Sequence, residues 1–216
     1  MNSGRLRQRT LKLLTWTRQR SPGVLRKCYR LLRSVGEQAL SPRLPRELVA
    51  NSHLCADRFH LIENMPKDGV VAELGTYRGD FARQIIEHAS PRHLHLIDID
   101  FSNFDPRGLA GPNVSCHSGL ISDVLSKFPD EYFDWIYVDA NHSYSQVAAD
   151  CRLAADKVRR GGYLVFNDFA HIDPMLGRYG VHRAVSEFIV DRRWKLAFFA
   201  LDPVALYDVA IQRPID

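Results

Sequence analysis

Trp194-Lys195-Leu196-Ala197-Phe198-Phe199-Ala200-Leu201 and Ala205-Leu206-Tyr207-Asp208-Val209-Ala210-Ile211-Gln212 both read as β-strands, with only Asp202-Pro203-Val204 between them. A parallel pair needs a crossover of a dozen or more residues, so two strands this close must, if they pair, run antiparallel. Upstream the pattern is different. Strands predicted at 70–74, 93–99, 113–117, 133–139 and 162–167 alternate with helices at 81–88, 121–128, 143–160 and 181–191. Repeated β–helix–β units predict a parallel sheet with helices on both faces. The fold expected is therefore α/β: five parallel strands closed by an antiparallel C-terminal hairpin. For the 143–160 helix, Ser143 and Gln146 suggest a capping box, and Arg159-Arg160-Gly161-Gly162 suggests last-turn cations and a glycine stop.

Charge divides the chain unevenly. Residues 1–34 hold ten of the 29 basic residues and no acid, which leaves 19 basic against 25 acidic residues for the remainder. Two amphipathic stretches, 6–18 and 24–35, flank Ser21-Pro22-Gly23, and Ser41-Pro42-Arg43-Leu44-Pro45 reads as a linker. Residues 1–45 are thus read as a basic helical arm and linker, and 46–216 as the domain that carries the chemistry. The arm packs on its own domain or on a second subunit in one reading. In the other it attaches to an anionic membrane surface, as basic amphipathic helices do. Nucleic acid is not expected as a partner, because no aromatic stacking platform accompanies the charge. Four scattered cysteines (Cys28, Cys55, Cys116, Cys151) form no metal or disulfide pattern and point to a reducing, cytoplasmic compartment. No secretory signal and no membrane span is expected.

Ligands of doubly wound sheets bind beyond the carboxyl ends of the strands. The first strand runs into Glu73-Leu74-Gly75-Thr76-Tyr77-Arg78-Gly79, an E-x-G-x-x-x-G loop rather than a G-x-G-x-x-G or phosphate loop. Gly75 and Gly79 let backbone approach a ligand closely. Glu73 argues against a pyrophosphate and for a cationic or amino-acid-bearing ligand. The second strand ends at Asp98, about twenty residues on, where a carboxylate can accept bonds from ribose hydroxyls. Taken singly, each feature also reads as a turn or a solvated strand end.

Asp139 ends the fourth strand, and Asn167 and Asp168 end the fifth. Three oxygen donors converging at adjacent strand ends suit a hard cation such as Mg²⁺, and ordinary turn chemistry is the alternative. His142, three residues after Asp139, is placed to remove a hydroxyl proton, or simply to hydrogen-bond at a helix start. Tyr179 and His182 are further candidates on a 170–182 segment that could fold over the site as a lid.

Val138-Asp139-Ala140-Asn141-His142-Ser143-Tyr144, with Asp150 and Gly161-Gly162-Tyr163-Leu164-Val165-Phe166-Asn167-Asp168, resembles class I S-adenosylmethionine-dependent methyltransferases. The branch is that of the macrocin-type sugar O-methyltransferases, with a more distant likeness to catechol O-methyltransferase, over about residues 55–212. The resemblance implies a Rossmann-like class I methyltransferase sheet and an enzyme that methylates a small-molecule hydroxyl. It implies that Glu73, Gly75, Thr76 and Gly79 border the methionine part of the cofactor. Asp98 would lie at the ribose, Gly119-Leu120-Ile121 at the adenine, and Asp139 beside the cofactor. It further implies Mg²⁺ on Asp139, Asn167 and Asp168, and His142 as base. Asn167 departs from the second carboxylate that many relatives carry, which keeps a metal-free mechanism open. Two rival readings are a non-catalytic S-adenosylmethionine-binding module and a nicotinamide-dependent oxidoreductase, the latter opposed by the glycine spacing and the hairpin.

Overall fold

The computed structural model describes residues 41–173, 177–203 and 206–216 of the 216. The two stretches read as arm helices lie outside them. The described residues up to His171 and from Tyr179 onward belong to one compact unit. β7 (Ile172–Asp173) and β8 (Gly177–Arg178) form an antiparallel ladder of their own that belongs to a second unit. The segment read as a lid is thus divided between the two. Among the described residues no helix is long and apolar enough to cross a membrane.

After a short 3-10 turn (Arg46–Leu48), the compact unit continues with β1 (His53–Cys55) and α1 (Arg58–Glu63). Then come β2 (Val70–Leu74), α2 (Asp80–Ala89), β3 (His93–Asp98), β4 (Val114–Ser118), α3 (Ile121–Leu125) and β5 (Phe133–Val138). It continues with α4 (Tyr144–Lys157), β6 (Val158–Phe166), α5 (Val181–Arg192), β9 (Lys195–Ala200) and β10 (Asp208–Gln212). The eight-stranded sheet has the order β1-β9-β10-β6-β5-β2-β3-β4. β2 to β6 run parallel, and β10 runs antiparallel to both β6 and β9. The hairpin expected from the three-residue connection is therefore present. Its consequence is that the start of β10 lies at the edge where β6 ends, since Val209 pairs with Phe166.

Burial explains why these runs are strands. β2 is buried along its whole length and β5 almost so, as central parallel strands covered on both faces must be. Val71, Leu94, Leu96, Trp135, Tyr137 and Val165 face α1 and α2, while Ala72, Leu74, Ile97, Ile136 and Leu164 face α3, α4 and α5. β1 and α1 are additions that periodicity did not announce, and β1 extends the sheet by pairing parallel with β9.

Two local readings are corrected. α4 stops at Lys157, because Val158 already has extended dihedrals and enters β6 beside Phe133. Gly161, with φ +73, turns within that strand rather than ending the helix. Nor does a capping box form: Ser143 makes no side-chain cap bond, the Gln146 amide donates to Asp150 instead (2.9 Å), and the Ser143 N–H donates to Asn141 Oδ1 (2.9 Å).

One face near the β4 edge gathers three histidines. His95 Nδ1 and His117 Nε2 are 3.0 Å apart, and the His93 ring lies 4.4 Å from the His95 ring. Phe128, Tyr132 and Phe133 close around His95. Burial first, then the neighbouring His93 and His117, pushes His95 down to about 4. The unfolded chain protonates this imidazole near its ordinary value, so the group costs stability progressively as pH falls from about 6.5 to about 4. Asp150 and Asp208, both raised to about 6 mainly by burial, act in the opposite direction. The wild-type slope alone therefore does not isolate the histidine. We predict that the Tm advantage of the wild type over His95→Gln shrinks between pH 7.5 and pH 5 in thermal melts; parallel Tm curves would contradict the assignment.

Candidate functional site

The carboxyl edge of the sheet is built by one repeated backbone device. The first residue after β2, β4, β5 and β6 donates its N–H to a carbonyl at the end of a neighbouring strand. Gly75 donates to Ile97 (2.8 Å), Asp139 to Leu74 (2.8 Å), Gly119 to Asp98 (2.9 Å) and Asn167 to Val138 (3.2 Å). The ends of β2, β3, β4, β5 and β6 therefore stand level, and the loops that follow them rise from one line.

Within that line Gly75 has φ +95, and a Cβ there would lie 2.1 Å from the Asp139 carbonyl oxygen. Glycine is thus demanded by the approach of the protein's own backbone, where the sequence had suggested room for a ligand. Gly79, with φ +81, caps α2, and a Cβ on it would meet Leu109 at 2.6 Å. Beneath the loop lie Glu73 and Thr76, 1% and 4% exposed, and Glu73 Oε2 and Thr76 Oγ1 have no hydrogen-bond partner among the described residues. Burial raises the Glu73 pKa well above the ordinary value; the nearby Thr76 opposes this in part, and Asp139 and Asp98 add to it. The Asp98 carboxylate accepts from the N–H of Tyr77 (2.7 Å) and of Asp100 (3.0 Å), tying the end of β3 to the glycine loop. A carboxylate has about four acceptor directions, so Asp98 keeps capacity for a ligand hydroxyl. Gly119 and Leu120 sit beside it at the end of β4, and Ile121 begins α3 and packs partly against the core.

At the β5–β6 side, His142 Nε2 lies 3.4 Å from Asp139 Oδ1 and 3.7 Å from Asp168 Oδ2, and it makes no hydrogen bond among the described residues. Tyr179 stacks flat on the imidazole at 4.5 Å, and the His142 carbonyl accepts from the Gly180 N–H (2.8 Å). Asp168 has φ +55, a left-handed conformation that Asp tolerates better than most residues. Burial raises its pKa, with Asp139 adding and His142 opposing. His182 is engaged elsewhere, through Ser41 Oγ (2.6 Å) and the Phe169 ring.

Asn167 departs from the expected cluster. Its amide points along the sheet, donating to the Tyr137 hydroxyl (3.3 Å) and to Asp208 Oδ1 (3.4 Å). Asp139 and Asp168 meet across an imidazole rather than with a third oxygen donor. Among the described residues no group of three or more His, Cys, Asp or Glu is arranged to hold a metal. The donor set expected for Mg²⁺ is therefore not assembled among the described residues, with the Asn167 amide turned toward Tyr137 and Asp208.

Three residues at this edge were not read from the sequence. The Tyr137 hydroxyl donates to Asp208 Oδ2 (2.6 Å), and an Arg58 nitrogen lies 3.6 Å from Asp208 Oδ1. The guanidinium sits over the Phe81 ring, which itself stacks on Tyr137 at 4.2 Å. Asp208 was visible as a carboxylate inside an apolar strand; Arg58 and Tyr137 gave no comparable signal.

Comparison with known proteins places the chain beside methyltransferases. A family model described as a methyltransferase domain matches residues 72–169, the stretch that holds the glycine loop, Asp98, Asp139, His142 and Asp168. An uncharacterized protein of Acanthamoeba polyphaga mimivirus is 26% identical over 132 residues, covering 51% of this chain. The chain spans 58% of that relative's length. The N-methyltransferase NodS of Bradyrhizobium japonicum, in complex with S-adenosylhomocysteine, superposes with a TM-score of 0.54 at 17% identity. That match covers 73% of this chain and 83% of NodS. A candidate hemolysin of Streptococcus thermophilus gives 0.57 at 12% identity, covering 73% of this chain and 63% of its own. Identities this low show a shared fold. The fold is Rossmann-like, as in these methyltransferase structures, and over residues 72–169 the chain is similar to a methyltransferase domain.

Replacing two glycines separates fold from site. Gly108 also has a positive φ (+75), but its nearest obstacle is the flexible Arg83 side chain at 3.8 Å. Gly108→Ala should cost only the left-handed penalty of about 1–2 kcal/mol. Gly75→Ala adds a backbone collision, and overpacking of that kind costs about 1–3 kcal/mol more. Denaturant unfolding should therefore rank Gly75→Ala well below Gly108→Ala; equal losses would contradict the close approach.

Proposed function

We propose that this protein is an S-adenosylmethionine-dependent methyltransferase that methylates a hydroxyl of a small molecule, a sugar or natural product, with His142 as the base. The observation that carries the cofactor is Glu73: a buried carboxyl with an unpartnered oxygen under a glycine loop, flanked by Asp98 and Asp139. A ligand with positive charge relieves that arrangement, whereas a pyrophosphate would aggravate it. S-adenosylmethionine supplies the activated methyl group. Gly75, Thr76 and Gly79 border its methionine part, Asp98 the ribose, and Gly119, Leu120 and Ile121 the adenine. Asp139 stands between the cofactor side and the acceptor side.

His142 is the group that moves a proton. Its Nε2 is flanked by two carboxylates that stabilise the imidazolium formed when it takes the acceptor's hydroxyl proton. Tyr179 fixes the plane of the ring. Rate acceleration then comes from positioning and from the fixed charges around the site. The basic arm is assigned a packing or oligomer-forming role, or contact with an anionic membrane surface, and the enzyme a cytoplasmic setting.

Two measurements test the proposal. Calorimetry should show binding of S-adenosylhomocysteine and none of NAD; tight NAD binding without the former would overturn it. With an acceptor found by screening hydroxyl compounds for S-adenosylhomocysteine release, His142→Ala should lower turnover by about 10²–10⁴-fold. The loss should be smaller for a phenol, which is already acidic. Full activity in both His142→Ala and Asp139→Ala would remove the proposed base while leaving the cofactor assignment standing.

A further inference from the structure

Arg58 is held where a cation is needed but has been given no adequate partner. It enters from α1, the helix that follows the added strand β1, and β1 ends level with β9 because Cys55 pairs with Ala200. Its side chain is 24% exposed, so three-quarters of it is out of water. The described contacts of the guanidinium are the Phe81 ring at 5.6 Å and Asp208 Oδ1 at 3.6 Å. An Arg–carboxylate fork has two parallel N–H···O bonds of about 2.7–2.9 Å, and this single long contact falls outside that range. Asp208 is moreover already engaged by Tyr137 at 2.6 Å and by Asn167. Burial works against the charge on Arg58, but Tyr137, Asp208, Asp139 and Asp168 outweigh it, and its pKa is raised. The fork is charged, desolvated and geometrically unspent.

Its position says what it meets. Phe81, which carries the guanidinium on its ring, is in the first turn of α2, two residues after Gly79. Arg58 is therefore beside the glycine loop, with Asp139 on the same side of the sheet as Tyr137. An α-amino acid is a zwitterion and needs both signs of charge close together. Asp139 offers the negative sign to an ammonium or sulfonium, with the unpartnered Glu73 oxygen nearby as an acceptor, and Arg58 the positive sign to a carboxylate. We propose that Arg58 binds the α-carboxylate of the cofactor's amino-acid tail through its guanidinium fork, with Phe81 as its platform and Asp208 holding the side chain in reach. This rests on the cofactor reading given above.

The test compares two ligands that differ only in that carboxylate: S-adenosylhomocysteine and its decarboxylated analogue, 5′-deoxy-5′-(3-aminopropylthio)adenosine. Calorimetry on the full-length wild type should show the first bound about 10–100-fold more tightly, as a desolvated charge-assisted pair implies. In Arg58→Met this preference should fall to within about threefold, while affinity for the decarboxylated analogue stays near the wild-type value. Arg58→Lys, which keeps the charge but not the fork, should lie between and serves if the Met variant does not fold. Equal binding of the two ligands by the wild type, or parallel weakening of both in the variants, would overturn the proposal. If the wild type binds neither ligand, the cofactor reading itself falls, an outcome distinct from the loss of discrimination alone.

Discussion

Gly75 and the Asp139 carbonyl lie closer than any side chain would permit, and the carboxyl edge of the sheet depends on that approach. The Gly75 N–H binds β3 and the Asp139 N–H binds β2, so the central strands end level and their loops start in register. Because the strands end level, Glu73 is sealed under the loop with an oxygen unpartnered, and Asp98, Asp139 and Asp168 emerge along one line. A negative field at the sheet edge is the outcome. Burial first, and the neighbouring carboxylates after it, raise the pKa values of Glu73 and Asp168. Such clustering of shifted protonation equilibria marks a site more often than a scaffold.

The second organising element is β10. By running antiparallel between β6 and β9 it returns Asp208 to the edge where β6 ends, and there Tyr137, Asn167 and Arg58 converge on it. This network explains why Asn167 does not face Asp168. Its amide fills a buried demand for donors beside Asp208, and leaving that demand unmet would cost more than an exposed side chain gains. His142 lies between Asp139 and Asp168 across the site.

Much of this was legible from the residues. The antiparallel hairpin followed from a three-residue connection, and five parallel strands followed from apolar runs separated by helical spacing. The glycine loop, Asp98, Asp139, His142 and Asp168 stand at the strand ends where their order along the chain put them. β1 and α1 were not legible, because three and six residues are too few for periodicity to declare itself. Gly161-Gly162 resembled a helix stop, but pairing of Val158 with β5 drew the chain into the sheet earlier. Arg58, Tyr137 and Asp208 lie 79 and 71 residues apart in turn, so only the folded sheet order brings them together.

The central claim is that the cofactor lies along the edge formed by β2, β3 and β4. Amide hydrogen exchange read by mass spectrometry, with and without saturating S-adenosylhomocysteine, addresses it directly. Slower exchange is expected in the glycine loop at 75–79, after β3 at 98–100 and after β4 at 119–121, with α5 unchanged. Protection that spares all three loops, or that NAD produces in place of S-adenosylhomocysteine, would contradict the account.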